Sequence, residues 1–258
     1  MKALRELYDY REMISGLVRR DLRGRYKGSV LGFLWTFINP LLQLLVYTMV
    51  FSVIMKNGIE KYYIFLFVAL VPWMFFSTSI AGGSTSVLHS ESMVKKIYFP
   101  REVLPISYVT SSFVNMILCL LVVFAVLIIS GFGVSLKALL FLPIVMIVEY
   151  LLALGFTLMS SALTVYFRDL AYILNIVTMA WQYLTPVIYS VDQVPDEFKW
   201  VMQWNPMTSV IVAYRDILYY KQVPHMSTLI MATVLGIFFV VIGYIVFRAL
   251  QKGFAEEM

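Results

Sequence analysis

The sequence predicts an all-α integral membrane protein with six transmembrane helices. Of its 258 residues, 61% are apolar and only 14% charged, a composition outside the range of water-soluble domains. Six runs free of Lys and Arg reach about 20 residues, the length a helix needs to cross hydrocarbon. Basic residues gather in the connectors between alternate runs. Strands are excluded because lipid leaves open sheet edges unpaired, and runs this uniformly apolar lack the alternation of a barrel strand.

The chain opens with residues 3–27, where Leu4, Leu7, Met13, Ile14, Leu17, Val18 and Leu22 recur at helical spacing. Arg11, Arg19, Arg20 and Arg23 fall largely on the other side of the wheel. The pattern is that of an amphipathic helix on a membrane surface, with a plain topogenic anchor as the alternative. Spans follow at 31–55, 62–83, 103–131, 138–167, 170–190 and 227–247. The first runs too long and begins too far along the chain for a cleaved signal peptide.

The connector at 84–102 sets Glu91, Lys95, Lys96 and Arg101 around Tyr98 and Phe99, and Pro100 stops any helix there. It is either a short helix that docks on another protein or a solvated loop. The connector at 191–226 is long yet amphiphilic. Its stretches 196–204 and 208–220 read as two short helices separated by Asn205-Pro206. They either re-enter over a cavity or rest in the interface on aromatics such as Trp200 and Trp204. With no soluble domain or internal repeat in view, 1–258 is a single membrane domain.

Fourteen of the 20 Lys and Arg residues lie on one side of this arrangement. They fall in the amino-terminal segment, at Lys95, Lys96 and Arg101, at Arg168, and at Arg248 and Lys252. Lys56, Lys61, Lys137, Lys199, Arg215 and Lys221 lie on the other. The positive-inside bias therefore places both termini in the cytoplasm, and the net charge of +5 reads as topology rather than nucleic-acid affinity.

Little side-chain chemistry is available. No phosphate-binding Gly-x-x-x-x-Gly-Lys-Ser/Thr loop occurs, so ATP hydrolysis by that route is excluded from this chain. His89 and His225 fall on opposite faces, which rules out a shared metal or a histidine-based triad. Cys119 is the only cysteine, so no disulfide forms within the chain. Glu149 is the one ionisable side chain deep in a span; it serves helix packing, a lumen wall or proton transfer. Trp35, Trp73, Phe75, Phe76, Trp181, Tyr183 and Tyr189 stand in or at the ends of spans, where a ring of them around a lumen would suit a sugar polymer. Packing and interfacial belts are the ordinary alternative. Pro40, Pro72, Pro105, Pro143 and Pro186 are compatible with passive bends or moving gates.

Three stretches carry a resemblance. The first runs Arg20-Asp21-Leu22, Arg25-Tyr26-Lys27-Gly28-Ser29-Val30-Leu31-Gly32-Phe33-Leu34-Trp35 and Asn39-Pro40-Leu41. The second is Tyr98-Phe99-Pro100-Arg101-Glu102-Val103-Leu104-Pro105, and the third Asn205-Pro206-Met207-Thr208 with Arg215. Together with the six spans they resemble the permease subunits of ABC-type polysaccharide exporters, which carry O-antigen, capsule or wall teichoic acid.

The resemblance implies a type-2 ABC exporter fold in a bacterial inner or plasma membrane, with two copies of the chain enclosing a channel. It also implies two copies of a separate ATPase subunit that bind ATP and Mg, this chain holding no cofactor or metal. Residues 3–27 would be the interface helix. The connector 84–102, with Glu91, Lys95, Lys96, Tyr98, Phe99 and Arg101, would hold the coupling helix. The connector 191–226, with Trp204, Asn205, Pro206 and Arg215, would form the external gate. The expected substrate is a glycan on an undecaprenyl pyrophosphate-type lipid, taken from the cytoplasmic leaflet. Arg20, Arg23, Arg25 and Lys27 stand where they either attract its pyrophosphate or simply fix topology. An exporter of a drug or small lipid and a proton-coupled transporter using Glu149 are the competing readings, with a membrane enzyme behind them.

Overall fold

The computed structural model describes residues 2–25, 28–56 and 58–258. The helices are α1 (Lys2–Asp9), α2 (Arg11–Gly24), α3 (Trp35–Thr48), α4 (Tyr62–Gly83), α5 (Glu91–Lys96), α6 (Val103–Ile129) and α7 (Leu136–Leu139). They continue as α8 (Leu142–Tyr166), α9 (Leu170–Leu184), α10 (Lys199–Trp204), α11 (Pro206–Leu218), α12 (Met226–Leu250) and α13 (Phe254–Glu257).

Among the described residues, five helical stretches are long and apolar enough to cross a membrane: Gly32–Ile54, Tyr62–Gly83, Val103–Ile129, Leu136–Tyr166 and Met226–Gly253. The run at 170–190 differs from expectation, because α9 stops after 15 residues at Leu184. At ~1.5 Å per residue it covers about 22 Å, short of a hydrocarbon layer of about 30 Å. Pro186 accounts for the stop: the residue before a proline is pushed out of the helical region, and Thr185 sits at φ −109, ψ 138.

The segment expected as one helix at 3–27 is divided at Tyr10 into α1 and α2. Backbone hydrogen bonds from Tyr10 to Glu6 (3.2 Å) and from Ile14 to Tyr10 (3.0 Å) run through the division, so it is a kink. Leu17 is buried while Arg19, Arg20 and Arg23 face out, and α2 lies against α6. The first span is also irregular: α3 ends in a π-helical stretch, Met49–Ile54.

α4 is apolar on all sides, so it belongs at the centre. Nearly every residue from Tyr62 to Phe76 is buried, and α3, α6, α8, α9 and α11 surround it. α8 and α12 meet backbone to backbone, the close approach that small residues permit between membrane helices. A Cβ on Gly243 would stand 2.2 Å from the Gly155 carbonyl oxygen, and one on Gly155 2.4 Å from the Phe239 carbonyl carbon.

Among the described residues two apolar cores result. The larger centres on α4. The smaller gathers Leu17, Val94, Phe99, Val165, Phe247 and Phe254 at the end of the bundle where α1 meets α12 and α13 packs on α5 and α8. That end, which holds both termini, is called the terminal end below and the opposite one the far end.

Candidate functional site

Three places on this scaffold gather polar groups. The first is a cavity of about 270 Å³ near the terminal end, walled by α3 (Trp35, Asn39), α4 (Met74, Phe75) and α6 (Ser112, Asn115), with Arg25 at its edge. The Arg25 guanidinium donates to Asp21 (2.9 Å), Ser111 (3.2 Å) and Ser112 (3.0 Å) and lies 5.5 Å from the Tyr108 ring. Its charge is thus shared with Asp21 and aimed by two hydroxyls. Of the four cations expected to act together, Arg25 alone of those described lines this cavity. Arg20 and Arg23 are exposed on α2, Arg20 reaching Met93 Sδ at 3.7 Å. Lys27 lies outside the described residues. Ser111, Ser112 and Asn115 went unremarked in the sequence, although three polar residues on one stretch of an apolar span were a visible signal.

The second place is α5 and the strand-like link after it. Glu91, Lys95, Lys96 and Tyr98 are exposed, with Lys95 donating to Glu91 at 2.7 Å. That hydrogen bond and the Lys95 charge hold the Glu91 carboxyl below its usual range. Phe99 and Arg101, expected in the same docking group, turn inward. Phe99 is buried in the smaller core, and Arg101 donates to the Gln251 carbonyl with its guanidinium 5.7 Å from the Phe254 ring. A polar recess of about 720 Å³ opens between this link, α1 and the end of α12.

The third place is at the far end, where α9 stops short. Residues 185–188 are non-helical yet buried, and backbone of that kind needs partners inside a membrane protein. α11 and its neighbours supply them. Asn205 donates to the Leu184 carbonyl at 3.0 Å and accepts from Trp181 Nε1 at 3.0 Å. Arg215, 3% exposed, donates to the carbonyls of Val187 (2.6 Å), Tyr189 (3.0 Å) and Phe65 (3.4 Å) and stands 3.6 Å above the Phe65 ring. The Tyr62 hydroxyl donates to the Ile188 carbonyl at 2.8 Å. Pro206 opens α11 with Asn205 as its cap, accepting from the Met207 amide at 3.1 Å. Trp204 projects outward on α10.

Glu149 is buried between α8 and α11 and accepts from the Tyr214 hydroxyl at 2.7 Å. Its second oxygen has no hydrogen-bond partner among the described residues. It faces the packing of α11 rather than an open lumen. The seven aromatics do not form one ring. Trp73, Phe75 and Phe76 are buried within the chain at 2%, 3% and 0% exposure, Phe75 also bordering the cavity beside Arg25. Trp73 and Phe76 stack edge-on around Trp181, and Phe75 packs on Phe113. Trp35 donates to Ser29 at 3.1 Å, and the Tyr189 hydroxyl donates to the Tyr183 carbonyl at 2.9 Å. Tyr183, 56% exposed, is the most open of the group.

Comparison with known proteins adds to this geometry. The ABC-2 type transporter family matches residues 13–219. The chain is 34% identical, over the whole of both sequences, to an O-antigen export system permease protein RfbA of Myxococcus xanthus. An RfbA of Klebsiella pneumoniae is 31% identical over 95% of this chain and 94% of its own. The polysialic acid transport protein KpsM of Escherichia coli is 22% identical over 93% of each. A family match over most of the chain and an end-to-end relative above 30% identity agree with the helical, membrane-crossing architecture: the chain belongs to the ABC-2 type transporter family.

Proposed function

We propose that this chain is the channel-forming membrane subunit of an ATP-driven exporter that moves a glycan built on an isoprenoid pyrophosphate lipid out of the cytoplasm. The observation that carries the reading is its end-to-end similarity to permeases named for O-antigen export. The geometry agrees with it. The excess of basic residues at the terminal end supports a cytoplasmic position for that end. There the exposed charges of α5 and the exposed Tyr98 just beyond it suit a separate ATPase subunit, which supplies ATP and Mg chemistry. A second copy of the chain completes the conduit, because α3 and α9 leave broad faces open, including Leu45 at 61%, Tyr172 at 75% and Tyr183 at 56% exposure.

In this mechanism the cavity beside Arg25 receives the pyrophosphate-bearing end of the lipid. Arg25 offers a guanidinium for charge-assisted bonds, and Ser112, Asn115 and Asn39 offer neutral donors. The far-end pair α10 and α11 closes the exit. The test is ATP hydrolysis by the chain purified with its bound ATPase, in vesicles with and without lipid-linked glycan extracted from the source membrane. Arg25→Gln is expected to lower the stimulation by about tenfold, the loss of one charge-assisted contact. Unchanged stimulation would sink the head-group role. Glu149→Gln keeps an acceptor for Tyr214 and is expected to leave transport intact; loss of transport there would revive proton coupling.

A further inference from the structure

At the terminal end, Glu102 is the last residue before α6, and its side chain is only 4% exposed. It accepts from Arg248 Nε at 3.0 Å, and Gln251 Nε2 stands 3.5 Å from the same oxygen. Arg248 belongs to the last turn of α12 and also faces Glu6 of α1 at 3.7 Å. Beside this pair Arg101 donates to the Gln251 carbonyl, and the Tyr166 hydroxyl of α8 donates to the Leu250 carbonyl at 2.8 Å. The smaller core lies beneath, where the Phe247 and Phe254 rings meet edge-on at 5.5 Å.

The link from α5 to α6 starts in extended backbone, with Ile97 at φ −129, ψ 135. A link of that kind absorbs a push unless side chains tie it down. The bonds of Glu102 and Arg101 tie it sideways to α12. α12 is an unbroken helix of 25 residues, about 37 Å long at ~1.5 Å per residue. It is packed on α8 through Gly155, Gly236 and Gly243, and toward the far end it lies against α11.

We propose that the Glu102–Arg248 pair is the joint that passes a movement of α5 to α12, and that α12 carries it as a rod to α10 and α11 at the far end. Glu102 is a positioning residue in this scheme: it acts through Arg248 and touches neither ATP nor cargo. The proposal rests on the ATP-driven reading above. It makes the last span, rather than α6 alone, the carrier of the stroke.

The experiment reads the far end while altering the terminal end. In a Cys119→Ser background, Gln203→Cys on the exposed side of α10 gives a single thiol. Its maleimide labelling rate is measured before and after vanadate trapping with ATP and Mg, in the chain purified with its bound ATPase. Trapping is expected to change the rate by about fivefold or more, the lower end of ordinary coupling between sites. Glu102→Gln and Arg248→Gln are each expected to abolish that change while ATP hydrolysis continues. The exchanged pair Glu102→Arg with Arg248→Glu is expected to restore it, which a merely structural role does not predict. If Glu102→Gln fails to assemble, Glu102→Asp, one methylene short of Arg248, carries the same test. The joint is overturned if the single variants respond to trapping as the parent does, if the exchanged pair is no better than the singles, or if the parent hydrolyses ATP without any change at Gln203→Cys. A parent that binds no ATPase overturns the ATP-driven reading instead.

Discussion

Arg215 shows how one side chain can replace a missing helix. Its guanidinium donates to three carbonyls, two of them on the segment that follows α9, and carbonyls of that kind are costly to leave unpaired when buried. Arg215→Lys keeps the charge but loses the planar fork. It is expected to cost about 1–3 kcal/mol in thermal or denaturant unfolding in detergent; a variant as stable as the parent would mean water replaces those bonds. The sequence placed Arg215 on the short helix expected at 208–220 and, through the resemblance, in the external gate. Its burial was not legible, because its partners are backbone atoms, which leave no trace in a pattern of side chains. Glu91 is the simpler case, since Glu91 and Lys95 stand four apart and pair as helical spacing dictates. A carboxyl held below its usual value contributes above about pH 4.3 and is lost as pH falls through the depressed value. The proposed binding of an ATPase subunit through α5 is therefore expected to stay level from about pH 6 to pH 8 as far as Glu91 is concerned. A Glu91→Gln variant that alters the pH profile in that window would contradict it.

Among elements, α8 and α12 were read correctly as apolar runs, yet nothing in those runs announced that they touch through glycine. Gly243→Leu forces a side chain into the Gly155 carbonyl, so the helices must part. The expected loss is about 1–3 kcal/mol or more, the range for overpacking, seen as a lower unfolding midpoint. A Gly253→Ala control is milder, because the obstacle there is the hydroxyl of Tyr166 rather than backbone. α9 is the element that ends before the expected run does. Hydropathy continued to residue 190, whereas Pro186 and the donors on α11 decide where the helix stops. The kink at Tyr10 has neither proline nor glycine behind it, so no local signal marked it.

At the scale of the whole chain, the order of apolar runs and connectors was legible because lipid imposes it directly. The division of aromatics between interior and surface was not, since a run that is apolar all round gives no phase to a helix. That is why Trp73, Phe75 and Phe76 proved to be core. α3 is the most open of the spanning stretches, with 11% of its apolar window buried against 78% for α4. The proposed second copy is expected to cover it. Native mass measurement in mild detergent should give twice the chain's 29.7 kDa, and a Leu45→Arg substitution should shift the population toward single chains. Mass at one chain for the parent would remove the shared conduit.

The buried guanidinium of Arg215 has an electrical consequence. It rides on α11 as a guanidinium cation, with one hydrogen bond to the carbonyl of residue 65 in the first turn of α4. Any displacement of α11 along the membrane normal therefore drags a positive charge through part of the transmembrane field, worth about 2.3 kcal/mol per elementary charge per 100 mV over the full thickness. If α10 and α11 close the exit as proposed, that closure feels the membrane potential as a force.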